Sequence, residues 1–363
     1  MGATRQYNKG EWTELYVLGR LLADGEFAVL GSESAGPEHR VRVLGTYRHT
    51  VESETGFAIE GDHVVGSGGL RIPRDLIRHS VDGMSKEIKK GSTGSRVFAL
   101  KSGHVLLDLL NISHFKSANQ KADIYLHVED PLRGLRDRPG YTVKSFLGAN
   151  PSLFNASKAT RFTYLLDPTP SELEIEKLNQ LSGERVICAA LRKAGISLEL
   201  CVDQVDAVFY ENLFMLDSAL VHVLGHLVAT YYSLGDRETT SVEKLTTILS
   251  AQNPMDVRRP GSYYRLKVTE FLEAVALGMT PKAEWDGRWN APGGLIIVNA
   301  EGSLTCVPLT DRDRHRDFLF QNSNFDRPAH DRSDFGKIYS AAGKAFIAAN
   351  FQIRINRPTH KAR

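Results

Sequence analysis

An α+β fold is what the hydrophobic patterning of this 363-residue chain predicts: a mixed central sheet flanked by helices, with a helical insertion and a C-terminal α+β region. Three observations carry the prediction. Residues 25–79 alternate apolar and polar side chains between frequent glycines (EFAVLG, RVRVLGTY, GFAIEGDHVVG), the pattern of several strands and turns. Residues 121–147 and 293–307 each read as a β-hairpin. Between them, from Pro168 to about residue 280, apolar residues recur at helical spacing.

Taken in order, Asn8-Lys9-Gly10-Glu11 followed by WTELYVLGRLLADG predicts a capped amphipathic helix ending near Asp24-Gly25. After the strands of 25–79 comes one helix over about 73–90. A Gly/Ser/Lys loop follows, then a strand or short helix in FALKSGHVLLDLLN. The hairpin of 121–147 precedes a strand in ATRFTYLL. PTPSELEIEKLNQL, the long apolar stretch 203–235, residues 241–250 and residues 262–279 read as helices. The remaining tail is polar and basic until AGKAFIAANFQIRI, which reads as a closing strand pair. The expected division is a core of 1–166, a helical region of 167–280 and a C-terminal region of 281–363. With no internal repeat and no low-complexity linker, these are expected to pack as one compact unit.

At 42% hydrophobic residues the chain can bury one large core or two modest ones. No apolar run is long enough to span a bilayer, and MGATRQYNKGEW lacks the apolar region of a signal peptide. Cys188, Cys201 and Cys306 are odd in number and lack CxxC spacing. They argue against a disulfide framework or zinc ribbon and suit a reducing compartment, the bacterial cytoplasm. The net charge of +2 is segregated: residues 1–166 carry 22 Lys and Arg against 18 Asp and Glu, residues 167–257 carry 6 against 14, and residues 258–363 carry 17 against 11. Two basic segments flanking an acidic one fit a nucleic-acid partner, although ordinary surface scatter gives the same numbers.

The first hairpin holds Asp123 on one strand and Lys144 on the other. Phosphodiester hydrolysis needs a carboxylate for a divalent cation and a positive charge that positions water and offsets developing negative charge. Asp123 and Lys144 match the skeleton of the PD-(D/E)XK nuclease core, and a solvated edge pair satisfies the same pattern. Thr142 stands where that skeleton usually has its second acid. Glu14 supplies a replacement: it shares a helix face with Leu18, Leu21 and Leu22, so its carboxylate is expected to point toward the core. Glu11, one turn earlier, is the capping partner of Asn8. His222 and His226 are four apart on a helix, but no third metal ligand is evident and Val223 occupies the position of an HExxH base. Satisfied core histidines explain the pair. Gly66-Ser67-Gly68-Gly69 lacks a following Lys-Ser/Thr and reads as a turn. The tail is dense in the side chains that read base edges, including Arg312, Arg314, Arg316, Arg327, Asp331, Arg332 and Lys337, while a surface loop of internal salt bridges has the same composition.

Five blocks, in order, resemble the HpaII-type restriction endonuclease family. They are NKGEWTELYVLGRLLADG; ADIYLHV with GYTVKSFLGANPSLFNASKATRF; FLEAVALGMTP with EWDG; FLFQNSNFDRPAHDRSDFGKIY; and NFQIRI. The resemblance implies a type II enzyme with a PD-(D/E)XK-like core, Mg²⁺ dependence and a short palindromic double-stranded DNA target, CCGG for the namesake. The matching positions are Asp123, Lys144 and Ser145 in the hairpin and Glu11 and Glu14 on the first helix. Asn155 and its neighbours border the DNA in this reading. Asp123, Glu14 and the Val143 carbonyl hold the metal. Lys89, Lys90, Lys158 and Arg161 contact phosphates, and the arginines and aspartates of 312–334 read bases. A palindrome is met most simply by a homodimer, and a cognate DNA methyltransferase acts on the same site. Pro328-Ala329-His330-Asp331 departs from the Ser/Thr-rich run expected of the family. A DNA-binding protein without catalysis is the alternative, and a hydrolase built on His222 and His226 a third.

Overall fold

The computed structural model describes residues 5–30, 39–49, 54–92, 96–113, 115, 122–132, 134–181, 183–234, 239–328 and 335–357. In chain order the elements begin with α1 (Lys9–Asp24), β1 (Glu26–Val29), β2 (Arg40–His49), β3 (Glu54–Glu60), β4 (His63–Gly66) and β5 (Arg71–Pro73). Then come α2 (Arg74–Asp82), α3 (Met84–Lys90), α4 (Lys101–Leu109), β6 (Ile124–Asp130), β7 (Leu135–Asp137) and β8 (Gly140–Ser145). The middle of the chain holds β9 (Ser152–Phe154), β10 (Phe162–Asp167), α5 (Glu172–Asn179), α6 (Glu184–Lys193), β11 (Ser197–Leu200) and α7 (Ala207–Leu216). It continues with α8 (Leu220–Ser233), α9 (Val242–Gln252) and α10 (Pro260–Ala276). The last elements are β12 (Gly294–Val298), β13 (Leu304–Pro308), α11 (Arg312–Asn322), β14 (Ser323–Asp326), β15 (Ile338–Ala341), β16 (Lys344–Ala349) and β17 (Gln352–Ile355).

The α+β class holds. The chain divides into two discontinuous units, residues 1–151 with 289–315, and residues 152–288 with 316–363. The expected boundaries at 166 and 280 therefore fall inside the second unit, and the hairpin β12–β13 belongs to the first.

In the first unit ten strands follow the order β5-β4-β3-β2-β1-β13-β12-β8-β6-β7, and a further pairing of β2 with β6 closes six of them into a ring. The sheet is mixed, as expected: β1–β13 and β12–β8 are parallel, and the other pairs are antiparallel. Ring closure demands a bend in β2. Its register against β6 shifts between Val43 and Gly45, and a Cβ at Gly45 would lie 2.5 Å from the Phe57 carbonyl oxygen. A bulge beside a glycine is how a strand turns a corner.

Helix α1 is buried on almost every side, with Trp12, Leu15, Val17, Leu18, Leu21 and Leu22 in the core. Such a helix must have both ends satisfied. Asn8 and Glu11 form a complete capping box at its start, and Gly25, at φ 68°, closes its end by donating to Leu21 O at 2.9 Å. Arg74 and Arg78 donate to Ala23 O at 3.0 and 2.7 Å, placing positive charge at the helix C-terminus. Midway, the Tyr16 hydroxyl donates to Gly302 O in the β12–β13 turn at 2.7 Å. The single helix expected over 73–90 is two, α2 and α3, broken at Gly83. FALKSGHVLLDLLN resolves as helix α4.

The second unit has a four-stranded sheet, β11-β10-β16-β15, and a three-stranded sheet, β14-β17-β9. Phe154 anchors its aromatic core, 5.3 Å from Phe271 and 5.1 Å from Phe351 between ring centroids. Two expectations change here. The tail expected to be a polar stretch contains α11 and β14, because Phe318, Leu319, Phe320 and Phe325 are buried among its charges. The closing strands β16 and β17 form, but they join different sheets rather than each other.

Replacing Gly45 by alanine forces its Cβ against backbone rather than a yielding side chain. We expect a loss of about 1–3 kcal/mol, measured as a shift of the urea midpoint with unchanged slope.

Candidate active site

The 121–147 hairpin exists and carries Asp123 and Lys144 together. Among the described residues the β6–β8 ladder consists of Ile124↔Tyr141 and Tyr125↔Gly140. Asp123 N–H donates to Tyr141 O at 3.0 Å. One step further the side chain replaces the backbone as partner, and Val143 N–H donates to Asp123 Oδ2 at 2.7 Å. The strands thus part at Asp123, with its carboxylate pinned across the gap.

Alternation settles which groups share a face. Tyr141 and Val143 pack with the core, so Thr142 and Lys144 present the opposite face of β8. Lys144 is half-buried. Burial pulls its pKa below the ordinary lysine range, and the adjacent Asp123 carboxylate pulls it part of the way back. On the far side β12 pairs in parallel with β8, Ile297 opposite Lys144, and Phe146 N–H extends the pairing by donating to Val298 O at 2.8 Å. The lysine is therefore mounted on a strand fixed from both edges. Ser145 Oγ accepts Leu147 N–H at 3.2 Å, which turns the chain out of the strand.

Helix α1 packs against β8. Glu14 is half-buried on it, next to buried Thr13 and Leu15. The side chain of Lys9 lies against Gly148, so the first turn of α1 borders the segment that follows β8. Glu11 has its own duty, accepting Asn8 N–H at 2.8 Å in the capping box. Among the described residues no three His, Cys, Asp or Glu side chains converge as a metal cluster. The carboxylate pinned at this mouth and the main-chain carbonyls beside it are oxygen donors. That donor set fits a hard divalent ion and not zinc.

The other expected residues scatter. In the first unit Lys89, Lys90 and Arg312 are exposed, and Arg314 faces Asp311 at 3.7 Å. In the second unit Asn155, Lys158 and Lys337 are exposed, and Arg161 is half-buried. Arg316 donates to Glu273 of α10 at 2.8 Å, with 16% and 1% of the two side chains accessible. Arg327 approaches the buried Glu184 at 3.9 Å. Asp331 and Arg332 lie outside the described residues. His222 and His226 lie on α8 with no converging third ligand among the described residues, and burial, then His222, pushes His226 below its usual pKa. Sequence reasoning passed over the basic turn after β6, where Arg136 and Arg138 return to the face of Asp123; arginines clustered so close to a candidate carboxylate were the available signal.

The HpaII restriction endonuclease family model matches residues 8–355. The chain belongs to that family. It is also 31% identical over 355 residues to the type II restriction enzyme HpaII of Haemophilus parainfluenzae, covering 96% of this chain and 98% of the relative. The family is one of site-specific deoxyribonucleases acting on double-stranded DNA, so restriction endonuclease activity is the function the kinship supports. No solved structure matches the chain. Among the described residues no single helix is long and apolar enough to cross a membrane.

If Glu11 serves only as a cap, Glu11→Ala lowers stability by about 1 kcal/mol and leaves the cleavage rate of folded enzyme intact. Thermal melts beside single-turnover cleavage of plasmid DNA measure both.

Proposed function

We propose that this chain is a Mg²⁺-dependent type II restriction endonuclease with a PD-(D/E)XK-like core, cutting double-stranded DNA at a short palindrome, CCGG or similar. The observation that carries the reading is the pairing of Asp123 and Lys144 at the opening of one hairpin, in a chain of the HpaII family. Asp123 and Glu14, with the Val143 carbonyl, are the groups that would hold the cation. A bound divalent ion supplies charge stabilisation at the scissile phosphate and a template for in-line displacement.

The protein's own groups then have separable tasks. The Val143 N–H holds the Asp123 carboxylate in one orientation, so no reorganisation is needed when substrate arrives. Lys144 orients the attacking water and offsets the negative charge that grows on the phosphoryl oxygens. Attack opposite the 3′ oxygen leaves a 5′-phosphate and a 3′-hydroxyl. Ser145 fixes the turn that ends β8 and so the position of Lys144. The exposed Lys89 and Lys90 bind phosphates and hold the duplex without reading it. Asn155, Lys158, Arg161, Arg312, Arg314, Arg327 and Lys337 are further DNA-binding residues in this reading. A homodimer would match the two-fold symmetry of a palindrome, and a methyltransferase acting on the same site would protect the host DNA of a bacterial cytoplasm.

Purified protein incubated with plasmid and Mg²⁺, with EDTA as control, should give discrete fragments whose sequenced ends share one palindrome. Lys144→Ala should reduce cleavage at least a hundredfold while duplex binding persists, and Glu14→Gln should do the same. A Lys144→Ala enzyme that cuts at the wild-type rate rejects the assignment. Wild-type protein that binds duplex but never cuts it is a DNA-binding relative without catalysis.

The lysine also sets a pH dependence. Its ammonium is lost as pH rises through a folded-state pKa below the ordinary lysine value of about 10.4. The single-turnover rate should therefore decline on the alkaline side before an ordinary lysine titrates. A rate still rising at about pH 10 contradicts a role for the charged form.

A further inference from the structure

The face of β6 that begins at Asp123 continues through Tyr125 and His127, while Ile124, Leu126 and Val128 are buried. Tyr125 lies two residues, about 7 Å, along the strand from Asp123. It stands in register with Tyr47 of β2, and the two rings stack with centroids 5.3 Å apart. The guanidinium of Arg138 lies over the Tyr47 ring at 5.2 Å, and the Tyr47 hydroxyl donates to Arg138 O at 2.8 Å. Beside this stack Arg136 Nε donates to His127 Nε2 at 3.3 Å. The two arginines also act on His127 at a distance, holding its pKa down after burial has lowered it.

The charges around this stack are partly paired, and Glu129 lies opposite Arg136 in the β6–β7 ladder. Neighbouring arginines are neutralised: Arg40 by Glu26 at 2.6 Å and Arg42 by Glu129 at 3.1 Å. Arg136 and Arg138 are exposed and enter no ion pair among the described residues. Asp137, between them, accepts the backbone N–H of Arg138 at 2.7 Å. A guanidinium laid on an aromatic ring is weakly hydrated, loses little further freedom on binding, and keeps a planar fork of donors suited to phosphate. Arg138 on its ring and Arg136 on His127 together raise the local affinity for an anion.

We propose that Arg136 and Arg138, held by His127 and the Tyr47–Tyr125 stack, grip backbone phosphates of duplex DNA beside the scissile one and so position it over Asp123 and Lys144. The proposal rests on the nuclease reading given above. The two arginines are positioning residues: they touch the substrate's flanking phosphates and act on the reaction through its placement.

The test is a salt titration of binding, in EDTA, with a short duplex containing the site that the wild-type protein cuts. Arg136→Ala/Arg138→Ala should bind several-fold more weakly, and the slope of log K against log salt should fall by about one for each phosphate that is no longer gripped. Its single-turnover cleavage should stay slow at saturating DNA. Arg138→Lys should keep the slope, since the charge remains, yet cleave more slowly, since the fork is gone. A double variant with wild-type melting, affinity and slope overturns the proposal. Lys144→Ala in the same titration should lower the slope by no more than about one, for the scissile phosphate alone, while cleavage is lost, which separates gripping from chemistry. Wild-type protein that neither binds nor cuts any duplex overturns the nuclease reading instead.

Discussion

The backbone ladder between β6 and β8 ends at Ile124↔Tyr141, and the carboxylate of Asp123 takes the next N–H in its place. This substitution organises the site. Had the ladder continued, Val143 N–H would belong to another strand and the gap at the hairpin mouth would close. Because a side chain makes the bond, the strands part while the carboxylate stays fixed, and Lys144 remains on the face it shares with Asp123. The geometry is set by a neutral donor on a charged acceptor, a stronger bond than one between neutral groups.

Everything else in the first unit serves to hold that mouth steady. β12 fixes β8 along its other edge, β2 fixes β6, and closure of the ring leaves neither hairpin strand free to slide. Helix α1, satisfied at both ends and buried on nearly all sides, brings Glu14 into the layer that packs on β8. The electrostatics follow from this mounting. Lys144 is half-buried where β8 pairs with β12, so burial weakens its hold on its proton and Asp123 limits the loss.

Where a signal was local, the sequence was legible. The Asn8/Glu11 capping box announced α1, and alternation announced β1 to β5 and both hairpins. Asp123 and Lys144 could be paired because a hairpin brings distant residues together by a rule of local register. What escaped depends on partners far away. The β2–β6 pairing joins residues some 80 positions apart, and nothing in either strand names the other. Helix α11 was hidden because RDRHRDFLFQN gathers its charges in one run and its apolar residues in the next, which leaves no helical stripe. The Arg316–Glu273 pair is of the same kind, since only the tertiary fold brings α11 beside α10.

The first unit is interrupted by residues 152–288, so the strand that flanks β8 is made about 150 residues after it. At 5–20 residues per second, the ribosome exposes the hairpin roughly 10–30 s before β12 and β13 arrive. During that interval β8 lacks one neighbour, β1 lacks its parallel partner β13, and the ring cannot close. The frame around the hairpin mouth is therefore completed only by residues from the last third of the chain. Chains abandoned before residue 294 lack the strand that flanks β8, and with it the closed ring around Asp123 and Lys144.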